Sequence, residues 1–217
     1  MANLGQQLQT PPIPKLGSSG PVYSSELQNQ NNNFLNLFFI KLVNSINSAF
    51  GIRGGKYLNN PYGAFQDSTD QTAANTTTAY AITFNTTDFA NGVSIASSSR
   101  ITVAETGIWN CQFSIQFKNT TNDTQDVDVW FRKNGTNIDN SNSRFGLAAR
   151  KSSGDPSHTI AAINFFASLT ANDYIEIMWR PSDIGVSIEY YGTSTSPTRP
   201  AVPSVIATMS FVSNLSV

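Results

Sequence analysis

The sequence predicts a mainly β protein: a ten-stranded jelly-roll β-sandwich preceded by an N-terminal extended arm and one short helix. Three observations carry this. From Tyr62 onward, polar and apolar residues alternate with period two, as on strands whose successive side chains point to opposite faces. Trp109-Asn110-Cys111-Gln112-Phe113-Ser114-Ile115-Gln116-Phe117 is the clearest case, with every odd position apolar and every even one polar. Turn signals separate many of the runs: Asn91-Gly92, Asn134-Gly135, Ser153-Gly154-Asp155-Pro156, Asn172-Asp173 and Ile184-Gly185. The one convincing helical pattern lies outside this region, and its residues 34 to 43 are apolar almost all round.

Composition removes several functional classes. The 217 residues suffice for one all-β domain with an appendage. A formal net charge of -1 and a charged fraction of 12% lack the basic footprint of a nucleic-acid binder, so no nucleic-acid partner is expected. Asn, Thr and Ser replace charge and give a neutral, hydrogen-bonding surface. The single Cys111 falls on the apolar side of its strand and reads as a small buried hydrophobe, with neither a disulfide framework nor a zinc pattern. The N-terminus has no basic start followed by an apolar stretch, so no secretory signal is expected. Phe34 to Val43 is interrupted by Asn36 and Lys41 and falls short of the roughly 18 residues of a membrane span, so no membrane partner is expected either.

Residues 1–23 form the arm. They hold Pro11, Pro12, Pro14 and Pro21 with Gly5, Gly17 and Gly20, and bury too little to fold alone. Such a segment is either held by a partner or laid against its own domain. A helix is expected over 24–52, with a capping box at Ser25-Glu26-Leu27-Gln28 and an end at Gly51; Gly54 and Gly55 fall in a 53–61 linker. Leu35, Phe39, Leu42, Ile46 and Ala49 recur in steps of four and three, a short coiled-coil seam that the polar run Gln28 to Asn33 stops from extending backwards. Phe34, Leu37, Phe38, Ile40 and Val43 overflow onto the other faces. The helix is therefore either buried in its own domain or clustered with copies of itself.

Strands are expected at 62–67, 77–84, 93–96, 100–104, 108–118, 126–133, 158–169, 173–180, 185–191 and 203–212, within a 62–217 domain. The 108–118 strand has one apolar side, as an outer strand of a sandwich should. The 158–169 strand is apolar on both: Ala161, Ile163, Phe165 and Leu169 on one, Ile160, Ala162 and Phe166 on the other. The last strand repeats this more weakly, with Ile206 and Val212 opposing Val205, Ala207, Met209 and Phe211. One side of each fills the sandwich. The other forms a contiguous patch that another subunit must cover.

Three segments carry a family resemblance. They are Thr106-Gly107-Ile108-Trp109 opening a strand, Val127 to Gly135 with its Lys133-Asn134-Gly135 turn, and Asn172 to Trp179. Their order resembles the globular heads of complement-type and tumour-necrosis-factor-like proteins. The stretch from Val127 to Tyr190 is similar to knob domains in structural proteins of tailed bacteriophages. The resemblance spans Tyr62 to the end; a collagen-like stalk and a signal peptide are missing, which favours the phage branch. It implies a homotrimer about a threefold axis, with the helix as a three-stranded stalk. Its interface would hold Leu35, Phe39, Leu42 and Ile46 of the helix, and Ile160, Ala162, Phe166 and Ile206 of the knob. The arm, through Pro11, Pro12, Pro14 and Leu16, would anchor it to the outer surface of the phage particle. The docking partner would be the major capsid protein in a decoration or head-fibre role, or a tail or portal-proximal protein in a fibre or adaptor role. The short arm and stalk favour the head.

Little chemistry is encoded, and neither an enzyme nor a cofactor is expected. His158 has no companion His or Cys and reads as a solvent-facing strand residue. No nucleophile elbow, phosphate loop or zinc signature occurs. Asp126/Asp128 and Glu176 with Glu189 have the residue types of a glycosidase pair, but spacing does not distinguish them from solvated edges. Asp67, Asp70, Asp123 and Asp126 supply oxygens of the kind calcium takes, without an EF-hand loop, so no metal site is assigned. Trp130 lies opposite Val129 and Phe131, among polar Asp128 and Arg132. It is a candidate contact for a host-surface glycan, or else packs at an interface or under a loop. Asn75-Thr76-Thr77 and Asn119-Thr120-Thr121 have the form of glycosylation sequons.

Overall fold

A computed structural model describes residues 13–18, 20, 22–50 and 60–214. The chain divides into two compact units, Met1–Asn59 and Asn60–Val217.

The first unit is built on helix α1 (Ser25–Phe50). Its cap is Ser24, one residue earlier than the sequence suggests: the Ser24 hydroxyl accepts the Leu27 amide at 3.3 Å. The Gln28 side chain donates to Asn32 instead of reaching back to close a capping box. The arm meets this helix through a reciprocal pair. Gly17 N–H donates to Asn31 Oδ1 at 3.0 Å, and Asn31 Nδ2 donates to the Gly17 carbonyl at 3.1 Å. One carboxamide thus stands in for a strand partner, which explains an Asn on this polar stretch. The helix end at Gly51, the linker up to residue 59, and Pro11 and Pro12 lie outside the described residues.

In the second unit sixteen strands follow among the described residues, all paired antiparallel. They begin with β1 (Tyr62–Asp67), β2 (Gln71–Thr72), β3 (Tyr80–Ala81), β4 (Thr86–Asn91), β5 (Val93–Ala96) and β6 (Arg100–Val103). Next come β7 (Gly107–Asn119), β8 (Gln125–Lys133), β9 (Thr136–Asn137), β10 (Ser143–Leu147) and β11 (Ser157–Leu169). The last are β12 (Tyr174–Pro181), β13 (Val186–Ile188), β14 (Ser194–Thr195), β15 (Thr198–Arg199) and β16 (Val205–Ser213).

One seven-stranded sheet runs β2-β13-β7-β16-β1-β4, with β11 on the other side of β7. The second runs β10-β8-β12-β6-β5, with β3 on β12 and β9 on β8. A small β14-β15 hairpin stands apart. The two large sheets pack face to face as a β-sandwich. Aromatic contacts cross the interior: Phe113 to Phe131 at 5.6 Å, Phe117 to Trp179 at 5.9 Å, and Phe165 stacked on Phe131 at 4.8 Å. Strand β7 is not marginal but central in its sheet, flanked by β11 and β16. Alternation reports which faces a strand presents, not its lateral place.

Two strand expectations shift. The 185–191 strand shortens to β13 (Val186–Ile188). Most of 77–84 is not strand, because Asn75 Oδ1 accepts the amides of Thr77 and Thr78 and turns the chain there; only β3 remains. Ile82 and Phe84 are still buried. The Asn119 sequon is closed, since Asn119 is fully buried. Its Nδ2 donates to the carbonyls of Asp123 and Ala148, and its Oδ1 accepts from the Thr121 amide and hydroxyl.

The motif turns are locked to each other. Asn134 and Gly135 have φ of 48° and 83°, the left-handed pair of a two-residue hairpin. Asn134 donates to Asp173 at 2.6 Å, and the Lys133 ammonium stands 2.8 Å from the same carboxylate. Burial pushes the Asp173 carboxyl up, but Lys133, the Thr170 amide and Asn134 together overcome this and hold it down at about 2. A folded pKa below the unfolded value of about 3.9 contributes stability above that pH, lost as pH falls from about 4 to about 2. Lys133→Met is expected to raise the Asp173 pKa and flatten acid unfolding within that window. Carboxyl NMR titration with denaturant melts at each pH checks it, and an unchanged titration would contradict the clamp.

Candidate functional site

The exposed face of the β7 sheet is the candidate site, and strand alternation builds it. On β11, Ile160, Ala162 and Phe166 point outward while Ala161, Ala167 and Leu169 are buried; Ile160 is 62% exposed and Phe166 56%. Ile206 and Val212 of β16 are also exposed. Register places Ala162, Ser114, Ile206 and Gln66 in one row across four strands. Sequence alternation therefore selects the two-faced strands correctly.

The patch is divided, not contiguous. The outward residues of β7 run Ile108, Asn110, Gln112, Ser114, Gln116 and Lys118, and Asn110 to Gln116 make a polar ladder between the β11 stripe and apolar residues beyond it. Beyond the ladder stand Ile206 on β16 and, further along the sheet, Tyr62 and Phe89, whose rings meet edge to face at 5.9 Å. Tyr62 and Phe89 were not anticipated. Phe89 sits on β4, whose Thr-Thr-Asp-Phe-Ala-Asn sequence has no period-two signal.

Within the ladder, the Asn110 side chain lies between Phe166 and Ser210. Its Oδ1 is buried without a hydrogen-bond partner among the described residues. An unpaired buried carbonyl costs about 1–3 kcal/mol. Among the described residues β11 is laddered only to β7, leaving its other edge open along 13 residues.

At one end of the face His158 is half exposed, as expected, but it is not alone. The Tyr191 hydroxyl lies 3.3 Å from its ring nitrogens and donates to Glu189, which is paired with Lys118. Burial, reinforced by the Glu189 carboxylate, raises the Tyr191 pKa. Glu176 belongs to the other sheet, where it accepts two bonds from Arg132 and one from Ser99, so it forms no pair with Glu189. Asp126 and Asp128 share one face of β8, as read from spacing. The Asp67 carboxylate is taken up by Thr69, Thr83 and Asn85. Among the described residues no three metal-ligating side chains cluster, and no helix is long and apolar enough to cross a membrane.

Cys111 lies beneath this face, 3.0 Å from the Met209 sulfur, and burial pushes its thiol up to about 12. An aromatic disulfide reagent is expected to leave it untouched in the folded protein and to label it fully after denaturation. Prompt native labelling would show that the sheet opens.

In the first unit the seam residues divide. Leu35 and Leu42 are half-buried, whereas Phe39 and Ile46 are exposed. Phe34, Leu37, Ile40 and Val43 are exposed as well, so apolar side chains are uncovered around α1 except along the half-buried stripe of Leu35, Phe38 and Leu42. Of the anchoring residues described, Pro14 is half-buried and Leu16 exposed. Trp130 lies on the outer face of the other sheet and donates from Nε1 to Asn137 Oδ1 at 2.8 Å, beneath the loop after β9. The chain matches no protein-family model and no curated protein.

Proposed function

We propose that this chain is a trimeric virion structural protein of a tailed bacteriophage, a capsid decoration or head-fibre knob. On this reading, a jelly-roll knob projects from a three-helix stalk, and the N-terminal arm docks on the capsid. The carrying observation is the uncovered outer face of β11 and β16, with Ile160, Phe166 and Ile206 exposed beside the unpaired Asn110 carbonyl. Surface of this kind is covered in assemblies. Strand order supports the jelly roll. First and last strands β1 and β16 are paired, and β7 separates β16 from β11, neighbours in space that are distant in sequence as Greek-key connections require. The exposed apolar side chains of α1, Phe39 and Ile46 of the seam among them, support a helical stalk, since a helix with so much uncovered grease needs company. Three arms in one body would raise avidity for the particle without any new contact.

Deleting residues 1–23 is expected to abolish loading onto purified heads while leaving the oligomer intact by sedimentation. Equal loading of the truncated protein overturns the anchoring role. Loading of the intact protein onto separated tails, and not onto heads, overturns the head assignment.

A further inference from the structure

A second surface lies wholly within one chain, on the opposite sheet, and its chemistry does not depend on how the knobs associate. Trp130 projects outward from β8, half-buried, and Ile138 is the apolar residue that shares its surroundings. Asp128 follows on that face and accepts from Arg144 Nε at 3.0 Å, with Arg180 at 3.5 Å. The 137–142 loop closes the other side, turned by Asn140 in a left-handed conformation at φ 60°. Asp128, Trp130, Arg180 and residues of that loop line a cleft of about 330 Å³, at the lower end of the range of small-molecule sites.

The cleft's polar groups are largely unspent. Asn140, Asn142 and Asp139 make no side-chain hydrogen bond among the described residues, and Asn137 spends only its carbonyl, on the indole. Nor does any aromatic or cationic group stack on the Trp130 ring there. Two carboxylates, Asp128 and Asp139, face the cleft, and the guanidiniums at hand, Arg144 and Arg180, are both already committed to Asp128, Arg180 to the Thr76 carbonyl as well. That balance disfavours phosphates and acidic sugars. Carboxamides offer a donor and an acceptor side by side, matching hydroxyls that do both, and a flat indole suits the C–H face of a pyranose. We propose that this cleft binds a neutral saccharide, with one sugar ring against Trp130 and its hydroxyls on the Asn140 and Asn142 carboxamides.

Of the three tryptophans, Trp109 and Trp179 are buried, so collisional quenching by acrylamide reports on Trp130. The probes are the methyl glycosides of glucose, galactose, N-acetylglucosamine and N-acetylgalactosamine, with N-acetylneuraminic acid as the acidic comparison. At least one neutral glycoside is expected to shield Trp130 with a Kd of about 1 mM, as suits a single sugar ring. In ligand-observed NMR, Trp130→Ala should weaken its binding at least about tenfold. Asn142→Ala changes an exposed side chain, keeps the indole, and should weaken binding too. Failure of every neutral probe to shield Trp130 overturns the assignment. So does tighter binding of the acidic sugar, or wild-type binding by Asn142→Ala and Trp130→Ala alike.

Discussion

In the proposed trimer, replacing Ile160 and Phe166 together by aspartate is expected to release well-folded single chains. Both side chains point away from the core, so the cost to the chain itself is that of surface substitutions, about 0.5 kcal/mol each. The cost to association is far larger. Burying a Phe or Ile against a neighbour contributes about 1.5–3 kcal/mol, and all of that is lost. A carboxylate forced into the same contact adds several kcal/mol of desolvation. Each residue recurs in every subunit, so the dissociation constant should rise by at least about a thousandfold, or about 4 kcal/mol. The two positions lie six residues apart on β11, and together they span most of the stripe. Sedimentation velocity with a thermal melt separates the outcomes. A variant that sediments like the parent shows that association does not use this face. A variant that dissociates and melts where the parent chain would alone supports it.

Legibility followed how each strand buries its residues. The long strands β7, β8, β11 and β12 were readable to within about a residue at most ends, because one face of each must fill the interior and alternation follows. The turns were readable because their geometry demands particular residues: Gly92, Asn134, Gly135, Gly154 and Asn172 all adopt positive φ. Strands β4 and β10 were invisible for the complementary reason. Thr86 to Ala90 are all exposed, so no burial pattern marks β4, which exists only because β1 offers it a ladder. Strand β10 pairs with β8 at the margin of its sheet, and only Leu147 is deeply buried. At the candidate face, alternation identifies Ile160, Ala162, Phe166 and Ile206 but not their separation by the β7 ladder. Which strands lie side by side is a matter of topology, and period-two patterning carries none. The Trp130 cleft was half legible. The outward direction of the half-buried indole follows from the pattern, whereas Asn140 and Asn142 come from a loop that only the fold brings beside it.

Gly107 carries the second large effect, and its reason is space. It opens β7 opposite Leu169 of β11, where β16 bulges between Phe211 and Ser213. A Cβ built there would stand 2.6 Å from the Ser213 carbonyl oxygen and closer still to the Phe211 ring. The carbonyl is backbone and cannot swing aside. Phe211 is itself held edge to face against the fully buried Trp109 at 5.4 Å. Gly107→Ala must therefore displace the end of β16 or break the Phe211–Trp109 contact, and overpacking of this kind costs about 1–3 kcal/mol. In a domain of this size each kcal/mol lowers Tm by about 2–4 °C, so a drop of about 2–12 °C is expected. Gly192→Ala is the matched control, since nothing lies within 4 Å of its Cβ position and its φ is not left-handed; its melt should be unchanged. The glycine in Thr106-Gly107-Ile108-Trp109 thus has a physical cause, in that the strand leading to Trp109 can pass beneath the Phe211 ring only where no side chain intervenes. Equal melting temperatures for the two variants would mean that the end of β16 yields freely, and the close approach at Gly107 would then carry no stability.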